Sequence, residues 1–286
     1  MAKIVGRPLK YFSSWFCPFA HRSTIALEHH RNAVVWEWEE ALGWTKTPPL
    51  GSENFDADER DDWEYHWKSP DLLRHNPLGM IPTIVDETTG RVVKESIVCV
   101  EFVDDIAMEA GSDAPSLFDS CPWKRASARI AMDAINKSIC SSYYSVLVRT
   151  DPVERRDAFS RILQGLETFA AEIGRGKYWG DRDTIGGPDA VLFPYAFRLF
   201  ALEHYRGKDF SIPGPERGPL WRTYNTWLER MTEHPSVVPT LPEKSRYLTH
   251  VEKYASGKAR SKVGNAVRRG VDAHAYDDSK DGIGSQ

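Results

Sequence analysis

The hydrophobic pattern divides the chain into two parts with different periods. In the first, short alternating or β-branched runs interchange with helical stripes. Leu9–Ser13 predicts a strand, and Cys17 to about His30 a helix with apolar residues that include Phe19, Ile25, Ala26 and Leu27. Ala33–Glu39 predicts a second strand by its alternation and its β-branched and aromatic content. Ser69 followed by Pro70 predicts a capped short helix. Thr83–Asp86 and Arg91–Lys94 flank the turn Thr88-Thr89-Gly90 and predict a hairpin, after which Glu95-Ser96 opens an apolar helix through Ile97, Val100, Phe102, Val103 and Ile106. The order is β-α-β-α-β-β-α. Its first two strands need a crossover and are therefore parallel, whereas the last pair is antiparallel.

After a Gly-, Pro-, Ser- and Asp-containing linker at Gly111–Cys121, the strand signals stop. Pro122 to about Thr150 predicts a long helix, Asp151-Pro152 starts another to about Gly174, and Gly186-Gly187-Pro188-Asp189 opens a third that Pro194 should bend or shorten. Pro219–His234 predicts a fourth, stopped by Pro235. The expected fold is an α+β domain over residues 1–110 with a mixed four-stranded sheet, the linker 111–121, an all-helical domain over 122–248, and a tail over 249–286. Tyr247–Ala255 has a helical pattern. Ser256–Gly270 is basic and poor in large apolar residues, which reads as a solvated tail, and Asp277–Gln286 reads as disordered.

One stretch breaks the rhythm. Residues 43–67 contain Pro48-Pro49, Gly51 and an acidic run, and predict a long inserted loop between the second strand and the Pro70 helix. Its aromatic ends, Trp44 and Trp63-Tyr65-Trp67, either pack over a neighbouring cleft or anchor a solvated insertion.

Composition adds limits. At 286 residues, 41% hydrophobic and 27% charged, the chain can bury a core of ordinary size without disulfides or metals. A net charge of −4 gives no argument for a nucleic-acid or anionic-membrane partner. The four cysteines are scattered with no CxxC pair, which predicts free thiols in a reducing, cytoplasmic setting. The first residues are too polar for a signal peptide, and no apolar run reaches membrane length. The histidines form no metal-ligand spacing, and G-x-S-x-G, GxxxxGK and GxGxxG are all missing, so metal, serine-hydrolase and nucleotide readings fall away.

Three motifs carry candidate chemistry. Cys17 lies at a strand-to-helix turn and is followed by Pro18, where unpaired N–H groups and the helix dipole favour thiolate; the alternative is a buried, inert cysteine. Position 20 is Ala20, so Cys17 has no local resolving thiol, and a mixed disulfide there needs a second, external thiol. Met80-Ile81-Pro82 precedes a strand, where a cis peptide would turn the Ile81 backbone toward a cleft and let it pair with an extended peptide. Glu95-Ser96 at a helix start suits an α-amino-acid head group, or is an ordinary helix start.

In this order and spacing the three features resemble the glutathione transferase superfamily, a thioredoxin-like domain followed by an all-helical one, over roughly residues 8–240. Cys17-Pro18-Phe19-Ala20 resembles the cysteine-type omega class, Asn76–Pro82 the family's turn into its cis-proline, and Glu95-Ser96 its γ-glutamyl site. The resemblance implies glutathione as cosubstrate, with Cys17 catalytic and with Phe19, Lys68, Ile81, Pro82, Glu95 and Ser96 binding glutathione, Lys68 at the glycyl carboxylate. It also implies a homodimer and a pocket for a hydrophobic or aromatic second substrate lined by Trp15, Phe16, Trp44, Arg129, Tyr143 and Tyr144. On the long helix, Arg129, Asp133, Asn136, Cys140 and Tyr144 share a face by 3.6-residue periodicity.

The expected activity is thiol transfer or reductive deglutathionylation of small electrophiles. Rivals are reduction of glutathionyl-hydroquinones, a glutathione-dependent step on an aromatic metabolite, and a non-catalytic binding or assembly module. The chain departs from the pattern in its 43–67 insertion, in Gly186 where a Ser/Thr cap is usual, and in its long tail.

Overall fold

A computed structural model describes residues 8–47, 62–273, 275 and 277. The N-terminal part runs β1 (Leu9–Ser13), α1 (Pro18–His29), β2 (Trp36–Glu40), β3 (Leu42–Thr45), β4 (Glu64–Lys68), α2 (Pro70–His75), β5 (Thr83–Asp86), β6 (Arg91–Lys94) and α3 (Ser96–Glu109). Four strands form the expected mixed sheet in the order β2-β1-β5-β6. β1 lies parallel to β2, with Leu9 opposite Trp36, and antiparallel to β5, which pairs antiparallel with β6.

β1 is the sheet's centre, and its period of two serves two cores. Tyr11 joins the large core that includes α1, α3 and the helical half, while its neighbour Phe12 joins a smaller cluster with Phe16, Leu42, Leu72 and Ile81. The Tyr11 hydroxyl donates to the Ala20 carbonyl at 2.5 Å, which fixes α1 against the strand it follows. The short helix α2 is capped as expected: Ser69 Oγ accepts from the Leu72 N–H at 3.0 Å, with Pro70 in the first turn.

Residues 112–269 hold α4 (Pro122–Ile135), α5 (Ser141–Val148), α6 (Pro152–Ile173), α7 (Gly187–Ala196), α8 (Phe200–Arg206), α9 (Pro219–Glu233), α10 (Lys244–Ala255), the two-residue strand β7 (Ala259–Arg260) and α11 (Lys262–Arg268). The expected long helix over 122–150 is interrupted by a π-helical turn at Asn136–Cys140. That turn adds a residue to the local repeat and rotates the following helix, so a face counted at 3.6 residues does not run through it. Arg129 and Asp133 are accordingly exposed, whereas Cys140 and Tyr144 are buried.

α7 is anchored at its start by Asp189, which is fully buried. Its Oδ2 accepts from the Gly186 N–H at 2.8 Å, and its Oδ1 accepts from the Trp227 Nε1–H at 2.8 Å and the Trp179 N–H at 3.2 Å. Pro194 lies inside α7, which ends two residues later, and the chain resumes as α8.

Two sequence expectations change. The ends of the 43–67 insertion are not loop: β3 and β4 pair antiparallel, with Trp44 opposite His66 and Leu42 opposite Lys68. Residues 48–61 of that insertion, with most of its acidic run, lie outside the described residues.

The basic stretch after Ser256 is not a solvated tail either. β7 adds to β4 in parallel, and Lys262, Gly264, Asn265, Ala266 and Val267 of α11 are buried. Basic residues there serve as anchors. Arg268 Nη2 donates to the Ala259 carbonyl, and the Arg260 guanidinium lies 3.4 Å from the centre of the Trp63 ring. The first residues and most of the positions after Ala273, with all but Asp277 of the stretch read as disordered, lie outside the described residues.

Candidate active site

Cys17 is the N-cap of α1, with extended backbone angles, and its Sγ accepts from the Ala20 N–H at 3.5 Å. This follows from the local sequence: Pro18 starts the helix where no N–H is needed, and the turn Ser14–Cys17 is closed by a Cys17 N–H to Ser14 carbonyl bond of 3.0 Å. Ser14 is held in turn by Glu40 at the end of β2, at 2.5 Å.

The thiol opens into a cavity lined by five parts of the chain. Phe16, Pro18 and Phe19 come from the Cys17 turn, Gly79, Met80 and Ile81 from the turn before β5, Leu42, His66 and Lys68 from the β3–β4 hairpin, and Tyr144, Tyr247, His250 and Tyr254 from the helical half. Ser261, Lys262 and Val263 close it from the C-terminal segment. The Ile81–Pro82 peptide is cis. Asn76 Nδ2 donates to the Met80 carbonyl and to Thr83 Oγ1, each at 3.0 Å, and so holds that turn. Gly79 has φ of 58°, and a Cβ there would strike the Lys68 side chain, so glycine both makes the turn and leaves room for the lysine.

Burial pushes the Cys17 thiol up, while the N–H groups of Ala20 and Phe19 and the charges of Arg198 and Arg22 pull it back part of the way. The helix N-terminus thus favours the thiolate as expected, through the Ala20 and Phe19 N–H groups, and burial opposes it. Arg198 is fully buried, and its Nη1 donates to the Pro194 carbonyl at 2.7 Å and to His21 Nδ1 at 3.0 Å. A guanidinium can only donate, so His21 Nδ1 accepts, and its Nε2–H donates to Thr240 Oγ1 at 2.7 Å. Burial, with the Arg198 charge, keeps His21 neutral, its pKa well below the usual value.

Arg22 ties the two halves together under the site. Its Nε donates to the Val191 carbonyl, its Nη1 to Ser96 Oγ at 2.8 Å, and its Nη2 to Asn136 Oδ1 at 3.1 Å and Cys140 Sγ at 3.0 Å.

Above the thiol is an aromatic stack. The Phe16 ring lies 4.0 Å from His250 at 21°, and Trp44 packs 4.0 Å from His66. His66 is held neutral, its pKa lowered to about 3, by burial first and then by the charges of Lys68 and Lys253. His250 is lowered well below the usual histidine value, again by burial first.

Several expected site residues sit elsewhere. Arg129 lies on the exposed side of α4 and forms a two-pronged pair with Glu101 at 2.6 and 3.0 Å, so it faces away from the cavity. Tyr143 is fully buried, with its hydroxyl on that of Tyr247 at 2.8 Å, and it supports the wall without lining it. Trp15 and Trp44 line an adjoining, more open groove with Glu40, Trp67 and Arg246 that shares Phe16, Leu42 and His250 with the cavity, and the Arg246 guanidinium lies 3.9 Å from the centre of the Trp15 ring. Glu95 and Ser96 are at the start of α3 as expected but outside the cavity lining, as is the ring of Pro82. Phe16, Phe19, Lys68, Ile81 and Tyr144 do line the cavity with Cys17.

The α10 residues were legible in principle, because Tyr247, His250, Val251 and Tyr254 repeat at helical spacing and make one stripe. His66, Lys262 and Arg198 carry no comparable sequence signal; only the pairing of β7 with β4 and the packing of α7 against α1 bring them in.

Residues 16–106 match the family model described as glutathione S-transferase, N-terminal domain. Among curated relatives, glutathione S-transferase U28 of Arabidopsis thaliana is 28% identical over 241 residues, 84% of this chain and 91% of the relative. A probable glutathione transferase omega-2 of Caenorhabditis elegans is 22% identical over 240 residues, 81% and 80% of the two chains. Among solved structures, glutathione transferase Omega 3C from Trametes versicolor superposes with a TM-score of 0.65 at 21% identity, covering 87% of this chain and 91% of that one. A rice glutathione transferase in complex with glutathione gives 0.67 at 23%, covering 87% and 96%.

Proposed function

This chain belongs to the glutathione transferase superfamily, with relatives in its tau and omega classes, and on that premise we propose that it is a glutathione-dependent thiol transferase whose nucleophile is Cys17. The observation that carries the reading is the position of Cys17 Sγ: at an N-cap, in a cavity shared with Ile81 and Lys68, and with no second cysteine among the described lining residues. A lone thiol there suits a monothiol cycle. Cys17 thiolate attacks the glutathionyl sulfur of a glutathionylated substrate, the Cys17–glutathione disulfide forms, and the substrate leaves as its thiolate. A second glutathione thiolate then attacks the glutathionyl sulfur, which releases glutathione disulfide and restores the Cys17 thiolate.

The binding residues follow the same logic. The turn at Ile81–Pro82 offers backbone to the cysteinyl part of glutathione, and Lys68 a charge to its glycyl carboxylate. Ser96 Oγ accepts from Arg22, so its own proton is left to donate to the γ-glutamyl carboxylate. Glu95, at φ of 69° without being glycine, holds a costly backbone conformation of the kind kept at ligand sites, and offers its carboxylate to the amine. Phe19 stacks beside Tyr144 at 6.5 Å and 8°, where it bounds an aromatic second-substrate space with Phe16.

The test is turnover of a glutathione mixed disulfide, a glutathionyl-hydroquinone and an electrophilic aryl halide by wild type and Cys17→Ser. Disulfide and hydroquinone turnover should fall at least a hundredfold in the variant. Unchanged disulfide reduction by Cys17→Ser would overturn the thiol mechanism, and conjugation of the aryl halide alone would favour a conjugating enzyme.

A further inference from the structure

We propose that the C-terminal segment α10–β7–α11 completes the glutathione site by supplying a second cation, Lys262, to the glycyl carboxylate; this rests on the glutathione reading above. Lys68 Nζ donates to the Leu78 carbonyl at 3.0 Å, and Lys262 Nζ donates to the same oxygen at 3.2 Å. Two ammonium groups, one from β4 and one from α11, thus converge on one atom. A carbonyl has two lone pairs and can accept from both. Both lysines line the Cys17 cavity beside Gly79, so a carboxylate entering it would meet the two charges together.

The segment is built to hold that position. The Glu64 N–H donates to the Lys258 carbonyl at 2.9 Å, which starts the β4–β7 ladder, and Lys253 pairs with Glu64 at 3.5 Å. Ser261 caps α11 by accepting from the Gly264 N–H at 3.1 Å and also bonds the Tyr254 hydroxyl at 3.1 Å. Lys262 is itself only 9% exposed, which is rare for a lysine without a charge-related role. A second atom points to a polar ligand in the same cavity. His66, two residues before Lys68 and on the same face of β4, has a buried Nε2 that makes no hydrogen bond among the described residues. An extended peptide bound along this face would run from Cys17 past His66 toward the two lysines.

The experiment is calorimetric titration of the full chain with glutathione and with its glycine monoethyl ester, in which an uncharged ethyl ester replaces the glycyl carboxylate. Wild type should bind the ester at least tenfold more weakly than glutathione. Lys262→Met should weaken glutathione about tenfold and leave the ester within about twofold, with Lys262→Arg recovering part of the loss. Equal weakening of both ligands, or of neither, would overturn the role of Lys262. If Lys68→Met removes the discrimination and Lys262→Met does not, the strap inference fails while the glutathione site stands. If wild type binds neither ligand, the glutathione reading itself fails. A measurement on unmodified protein guards against misfolded variants: glutathione, but not the ester, should protect Lys262 from acetylation, read by peptide mass spectrometry. Equal protection by both would again count against it.

Discussion

Replacing Asp189 by asparagine separates a buried charge from the helix start it holds. Burial raises the Asp189 carboxyl to about 6, even though it accepts from the N–H groups of Trp179 and Gly186 and from Trp227 Nε1–H. Because the folded pKa lies above the unfolded value of 3.8, the folded state holds its proton where the unfolded state has lost it. Stability from this group is therefore present in full below the unfolded value and is lost as pH rises through about 6. The folded-to-unfolded difference amounts to about 3 kcal/mol in all, and about 1 kcal/mol of it falls between pH 5 and pH 7.

Asp189→Asn cannot titrate. It also turns an amide N–H₂ toward the Gly186 N–H, an unmade bond worth about 1–3 kcal/mol at any pH. The difference in unfolding free energy between wild type and Asp189→Asn should thus be about 1 kcal/mol larger at pH 5 than at pH 7. Urea unfolding followed by tryptophan fluorescence at the two pH values measures it, and titrations shared by both proteins cancel in the difference. A difference that stays constant, or that shrinks on acidification, would refute the reasoning.

Other outcomes follow from the same site. His66→Phe should be close to neutral at pH 7.5, because His66 is uncharged and its Nε2 makes no hydrogen bond among the described residues. Since its folded pKa of about 3 lies below the unfolded one, stability is lost as pH falls from about 6.5, so the variant should gain about 2 kcal/mol relative to wild type at pH 5, by the same unfolding assay. Arg198→Met should move the midpoint of Cys17 alkylation by iodoacetamide, read peptide by peptide, further above the ordinary thiol range, because it removes a cation that favours thiolate; a downward move would contradict the charge assignment. Cys99 and Cys140, raised by burial to about 12 and about 11, should stay unmodified over the same range.

Much of the fold is local and could be read from the chain. The strand patterns of β1 and β2, the β5–β6 hairpin over Thr88-Thr89-Gly90, the Ser69 cap and the placement of Cys17 before Pro18 each depend on residues close together in the chain. Periodicity and turn chemistry act at that range, and the glutathione transferase resemblance was built on the same short motifs.

What tertiary structure decided are the properties set by distant neighbours. A π-helical turn at Asn136–Cys140 swung Arg129 away from the cavity, and no 3.6-residue count contains it. Burial of Cys17 works against the thiolate that its helix N-terminus favours, because the cost of burying charge depends on what covers it. The basic stretch after Ser256 looked soluble because its residues are polar. Packed on β4, its lysine and arginines found partners in carbonyls and rings, so Lys262 became a wall of the site.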